Sequence, residues 1–270
     1  MAYHSRKKAF AFFLALSSLS AFQFCWPSHT DARAPESLDA RLTSRLKQIS
    51  KLGEQEDDKL GSVNLDLLKF LKSACLSSIS MEDPLNNAIK AGLMAFTSTD
   101  KKVRCYSWDT LTGGTMHVFY SLIAYDAGND QFKCLVLNPA TPESEGDPGS
   151  CFEALDTIKT TDGKTVYLTQ DLFIGSGMIH GRTIKAYVIT NGKLTKYPFF
   201  QAGTKNLDSI SFDFDEYGDA TQFELSKDQK TLKIPIIKPA GKDAPGSGHA
   251  TGKYLTYLFN GTKFVFTKGK

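Results

Sequence analysis

Residues 183–200 read TIKAYVITNGKLTKYPFF. Two runs rich in Ile, Val, Thr, Tyr and Phe flank the dipeptide Asn191-Gly192. Such a pair supplies the positive φ angles of a type I′ turn, so the segment predicts a two-residue β-hairpin. Asn260-Gly261 repeats the signal near the end of the chain, and Asp162-Gly163 does likewise. Working outward, short runs of the same composition between turn residues predict strands at 93–98, 103–108, 115–125, 132–137, 165–172, 183–190, 194–200, 209–215, 222–226, 232–237, 254–259 and 263–267. Along residues 209–214, Ile210, Phe212 and Phe214 alternate with Ser209, Ser211 and Asp213, the two-residue period of a half-buried strand. Successive hairpins imply antiparallel pairing, since parallel neighbours need long crossovers.

Before residue 93 the period is different. Leu38, Leu42, Leu46, Ile49 and Leu52 recur at three- to four-residue steps and form one helical stripe. Residues 53–61 are polar and acidic and read as a linker. Leu67, Leu68, Leu71, Ala74 and Cys75 mark the inward side of a second helix over 63–79, with Ser62 as its N-cap. Pro84 opens a short third turn or helix. The fold class expected is α+β: a helical N-terminal segment (35–92), then a mostly antiparallel β-domain (93–270) built as a sandwich, barrel or small propeller-like stack.

The first residues carry an export signal. Arg6, Lys7 and Lys8 precede an apolar run over 9–21, and small residues follow, the order of a secretory signal peptide. Ala32-Arg33-Ala34 has the small-x-small form of a cleavage site, with residues 18–21 as an alternative, so the signal is taken as 1–34. Cleavage there removes four of the 32 basic residues and one of the 29 acidic ones, leaving 28 of each. A neutral chain without a basic stripe speaks against nucleic acid as a partner. No later segment is long and apolar enough to span a bilayer as a helix. The location expected is periplasmic or secreted.

Cysteine usage agrees with export. Beyond residue 34 stand Cys75, Cys105, Cys134 and Cys151, an even number that suggests two disulfides in an oxidising compartment. Of three possible pairings, Cys134–Cys151 would close the intervening Pro-, Gly- and Glu-rich loop. Cys75–Cys105 would tie a helix to a strand. Free buried thiols are the alternative. No C-x-x-C or close His partner suggests zinc, and neither a metal nor a cofactor is expected.

The segment Arg104-Cys-Tyr-Ser-Trp-Asp-Thr-Leu-Thr-Gly-Gly-Thr-Met-His117 resembles stretches of the form R-x-Y-S-W-D-T-x-T-G-G-T-M-H in uncharacterised exported bacterial β-rich proteins. The resemblance implies an envelope or secreted protein and transfers no activity to any residue. From the residues themselves it reads as a hairpin, with Tyr106 and Trp108 on one strand face and a turn over 109–114. Asp109 would accept hydrogen bonds within that turn. The functional reading is a binding edge built from Tyr106, Trp108, Asp109 and His117, since loops on a rigid sheet often bind.

Other candidates are weaker in chemistry. His117, His180 and His249 could serve acid–base work, but nothing in the sequence brings them together. Gly175-Ser176-Gly177 departs from the G-x-S-x-G spacing of a nucleophile turn. Residues 246–253 fail the phosphate-loop pattern and read as a flexible loop. Asp213, Asp215, Glu216 and Asp219 are spaced unlike a calcium loop and read as a solvated face and turn. The expectation is therefore a non-enzymatic binding protein of the bacterial envelope, of the inhibitor or immunity type, with a protein partner. The alternatives are a secreted hydrolase of carbohydrate or peptidoglycan, which needs two carboxylates facing a cleft, and a structural or adhesive surface protein with a long sheet edge.

Overall fold

The computed structural model describes residues 36–55, 58–137, 148–176, 179–215, 221–239 and 248–267. The expected signal sequence, residues 1–34, lies outside them. Glu36–Lys270 forms one compact unit.

Helix α1 (Leu38–Glu54) is capped by Ser37, whose hydroxyl accepts from the Ala40 N–H at 3.2 Å. Helix α2 (Leu60–Ala74) starts earlier than Ser62, which instead donates to the Lys59 carbonyl inside the first turn. Two short helices follow, α3 (Ile79–Glu82) and α4 (Asn86–Lys90). The predicted stripe is real: Leu42, Leu67 and Leu71 are fully buried. Each such side chain stabilises the fold by about 1.5–3 kcal/mol.

Three sheets follow. The first runs β1 (Met94–Thr97), β2 (Val103–Asp109), β3 (Phe119–Asp126), β4 (Phe132–Val136), all antiparallel and in that order. The second is built from β5 (Cys151–Lys159), β6 (Thr165–Ser176), β7 (Ile179–Thr190) and β8 (Lys193–Lys196), joined by the later β11 (Ser209–Phe214) beside β7. The third contains β9 (Phe200–Ala202), β10 (Lys205–Leu207), β12 (Glu224–Leu225), β13 (Thr231–Pro239), β14 (Gly248–Phe259) and β15 (Phe264–Thr267).

Two-residue alternation explains how the sheets share cores. On the first sheet Tyr106, Trp108, Leu122 and Ala124 face the helices, while Val103, Cys105 and Ile123 face Phe152, Tyr167 and Tyr187 of the second sheet. The second sheet turns Val166, Leu168, Ile184 and Ala186 toward Phe200, Leu232 and Phe264 of the third, with Phe199 just before β9 in the same core. The described sheets close no barrel.

The fold differs from the sequence reading in definable ways. Cys151–Lys159 is a strand that composition alone hides, because Glu153, Asp156 and Lys159 interrupt its apolar run. Residues 248–252 belong to a strand, not a flexible loop. One pair, β9 with β15, is parallel, with Phe264 opposite Phe200. The hairpins between them in sequence supply the length such a connection needs. Asn191 (φ 51°) and Gly192 (φ 68°) form the expected turn. At 260–261 only Gly261 has positive φ; Asn260 Oδ1 instead accepts from the N–H groups of Thr262 and Lys263.

A histidine–carboxylate site where the sheets meet

The stretch from Arg104 to His117 divides into two parts with different tasks. Its strand half is a clamp. Arg104 is 4% exposed and donates to the carbonyls of Ser80 and Asp83 at 3.0 and 2.6 Å. The Tyr106 hydroxyl donates to the Ser80 carbonyl. Trp108 Nε1–H donates to Asn64 Oδ1 at 2.9 Å, and Asn64 Nδ2 donates onward to the Leu60 and Thr110 carbonyls. Tyr106 and Trp108 are both 0% exposed. They therefore cannot form the binding edge expected of them. Their alternation partners face the second sheet, so both faces of β2 are covered and the aromatics go to the core.

The loop half emerges at one end of the sheets. Residues 110–118 are closed by Thr110 N–H donating to the Val118 carbonyl. Gly114 has φ +61°, and a Cβ on Gly113 would meet the Met116 carbonyl oxygen at 1.7 Å, which is why this turn carries two glycines. His117 Nδ1 lies 2.5 Å from Asp109 Oδ2, while Asp109 Oδ1 accepts from the Leu111 N–H. Asp109 and His117 were expected to act together, and the hairpin does bring them into contact. A carboxylate only accepts, so Nδ1 carries a proton and donates it to Asp109. The ring stacks on Phe119, and its backbone N–H donates to the Ile174 carbonyl on β6. Beside the pair is a cavity of about 330 Å³, lined by Ser50, Gly53 and Glu54 of α1 together with Asp109, Leu111 and His117.

His180 and His249 converge on the same end. His180, 2% exposed, sits on β7 opposite Phe214 of β11. Burial lowers its pKa, with the positive charges of Arg182 and His117 acting the same way against the opposing pull of Asp215. His249 Nδ1 stands 2.9 Å from Asp215 Oδ1, and the Asp215 N–H donates to the Gly248 carbonyl where β14 begins. Asp215 is thus largely covered rather than part of a solvated face, its side chain only 10% exposed. Arg182 braces the cluster: it holds Glu153 through two hydrogen bonds at 2.7 and 2.9 Å and lies over the Phe214 ring.

Sequence could not assemble this group, because its members come from the β2–β3 loop, β7, β11 and β14. Three exposed apolar side chains adjoin it in the chain, Leu111 and Met116 in the loop and Ile179 at the start of β7. Among the described residues, no group of three His, Cys, Asp or Glu is arranged to hold a metal ion. Ser176 is the last residue of β6 and pairs with Ile179 of β7.

Among the described residues Cys75, Cys105, Cys134 and Cys151 are free thiols. The pairings expected from the sequence are not those the fold offers. Cys105 pairs in register with Phe96 and Ile123, on the face toward the second sheet. Cys75 lies in the core between the helices and the first sheet. Cys151 points its thiol at the Leu172 carbonyl at the start of β5, while Cys134 packs against the helical core.

No protein-family model, curated protein or solved structure matches this chain.

Proposed function

We propose that this is an exported binding protein of the bacterial envelope that takes a protein partner at the end of the sheets carrying Asp109 and His117. The observation that supports it is the company this pair keeps: an oriented, half-exposed imidazole with exposed Leu111 and Met116 close to it in the same loop. A protein interface needs apolar contact area around a few directional polar groups. Export is supported by the basic-then-apolar order of residues 1–34, and a periplasmic or secreted location follows from it. Within the described residues no helix is long and apolar enough to cross a membrane.

A second reading rests on the cavity itself. His117, Ser50 and Glu54 line one cleft, which would suit acid–base work in a secreted hydrolase.

The test is capture from envelope extract of the source organism by the immobilised chain, with Met116→Asp, His117→Ala and the distant Lys205→Ala run alongside. One protein retained at high salt by the parent and by Lys205→Ala, and lost with the other two, is the result expected. Capture of glycan alone, or of proteins indifferent to both substitutions, would overturn the reading. Hydrolysis of cell-wall or polysaccharide substrate that disappears in His117→Ala would establish the second one.

A further inference from the structure

Cys75 and Cys134 are 59 positions apart in sequence and side by side in the fold. Cys75 closes α2, its N–H donating to the Leu71 carbonyl, and is fully buried. Cys134 sits on β4 opposite Ala124, which places it on the face of the first sheet that meets the helices. The two side chains meet in the core between the helices and the first sheet and act on each other's ionisation. Cys105 and Cys151 have no such neighbour among the described cysteines: one faces the second sheet, the other the Leu172 carbonyl.

We propose that Cys75 and Cys134 are the pair this fold presents for oxidation, and that one disulfide between them locks the helical layer to the first sheet while Cys105 and Cys151 stay as thiols. The electron acceptor is a small or protein disulfide, of the class of oxidised glutathione or a dithiol oxidase. Cys134 is the entry point because it is only partly buried, whereas Cys75 is enclosed. Its thiolate is favoured by the neighbouring Cys75 thiol and, against the cost of burial, by the nearby Lys72 charge. That thiolate attacks one sulfur of the donor, the donor S–S bond breaks, and one donor thiol leaves. Cys75 then gives up its proton and attacks the Cys134 sulfur of the mixed disulfide, releasing the second donor thiol. Two protein thiols become one disulfide, and one donor disulfide becomes two thiols.

The lock has a mechanical meaning. β4 is an edge strand of the first sheet, and α2 carries Asn64, which holds Trp108 and Thr110. Fastening α2 to β4 therefore fixes the base of the loop that bears Asp109 and His117. In the cell the reaction rests on the chain reaching an oxidising compartment; with an added oxidant it does not, so the two ideas fail separately.

The purified chain is incubated, folded, with oxidised glutathione, then alkylated and mapped by mass spectrometry. Cleavage after glutamate separates Cys134 from Cys151 at Glu143 and Glu145. The expected product has lost two hydrogen masses, contains a Cys75–Cys134 cross-linked peptide, and keeps Cys105 and Cys151 alkylatable. Cys105→Ser/Cys151→Ser keeps the mass loss; Cys75→Ser abolishes it. Reduction lowers Tm by about 10 °C, the size expected for a closed loop of about 60 residues in a chain this long. Alkylation of Cys75 and Cys134 as well as Cys105 and Cys151, a lasting glutathione adduct on Cys134, a cross-link through Cys105 or Cys151, or equal Tm in the two states would each overturn the proposal.

Discussion

Asn64 is the residue on which the two halves of the Arg104–His117 stretch hinge, and replacing it with Ala tests that reading. Asn64 is 1% exposed and makes three side-chain hydrogen bonds. In Asn64→Ala the Leu60 carbonyl keeps its place in the helical ladder, so its loss is small. Trp108 Nε1–H and the Thr110 carbonyl lose the partner they had. A buried polar group left without a partner costs about 1–3 kcal/mol, and two of them set the scale of the effect. The small void left beside Trp108 adds to it. The expected destabilisation is about 3 kcal/mol. With a urea dependence of about 2.5 kcal/mol per molar, the unfolding midpoint drops by about 1 M. Far-UV circular dichroism in urea measures it, with the exposed Ser62→Ala on the same helix as the control. A midpoint within experimental scatter of the parent, with an unchanged slope, would show that Trp108 and Thr110 do not depend on this bridge. The reading of the strand half as a clamp would then fall.

Three further outcomes follow from the packing. Asp171, 2% exposed, is ion-paired with Lys185, and burial raises its pKa despite that lysine; Asp171→Ala should cost about 3 kcal/mol by stranding the ammonium, and Asp171→Leu/Lys185→Met should recover most of it in the same urea assay. Leu71, fully buried between α2 and the first sheet, should lose about 3 kcal/mol on change to Ala, seen as a lower Tm; a loss below about 1 kcal/mol would mean the helices are not held by this face. His180 has a lowered pKa, so below about pH 6.5 the unfolded chain takes up a proton that the folded one refuses, and stability falls as pH drops. One such proton gives a slope of at most about 1.4 kcal/mol per pH unit. His180→Phe should flatten the fall between about pH 7.5 and about pH 5.5; identical profiles would remove His180 as its source.

The candidate site shows where sequence reading succeeds and where it stops. Asp109 and His117 were legible because a glycine-rich turn brings chain neighbours together, and local geometry is written in local residues. Tyr106 and Trp108 were placed on one face correctly, yet which side of β2 faces solvent depends on whether another sheet covers it. The helices cover one face and β5–β7 the other. His180, Asp215 and His249 left no local mark, since their meeting is set by strand order. β11 pairs with β7 rather than with a sequence neighbour, and β14 enters from the third sheet.

By itself the sequence determined the class of structure: an amphipathic helical start, a change of period near residue 93, and hairpins at turn residues whose φ preferences leave little choice. These are short-range properties, decided within a few residues by sterics and by which faces are apolar. Tertiary structure alone decided the stacking of three sheets, the parallel β9–β15 pair, the placing of Cys75 and Cys134 in one layer and the gathering of His117, His180 and His249. Those depend on contacts between segments tens to more than a hundred residues apart, where several strand orders would bury similar apolar area. The selection among them is made by the packing of the whole.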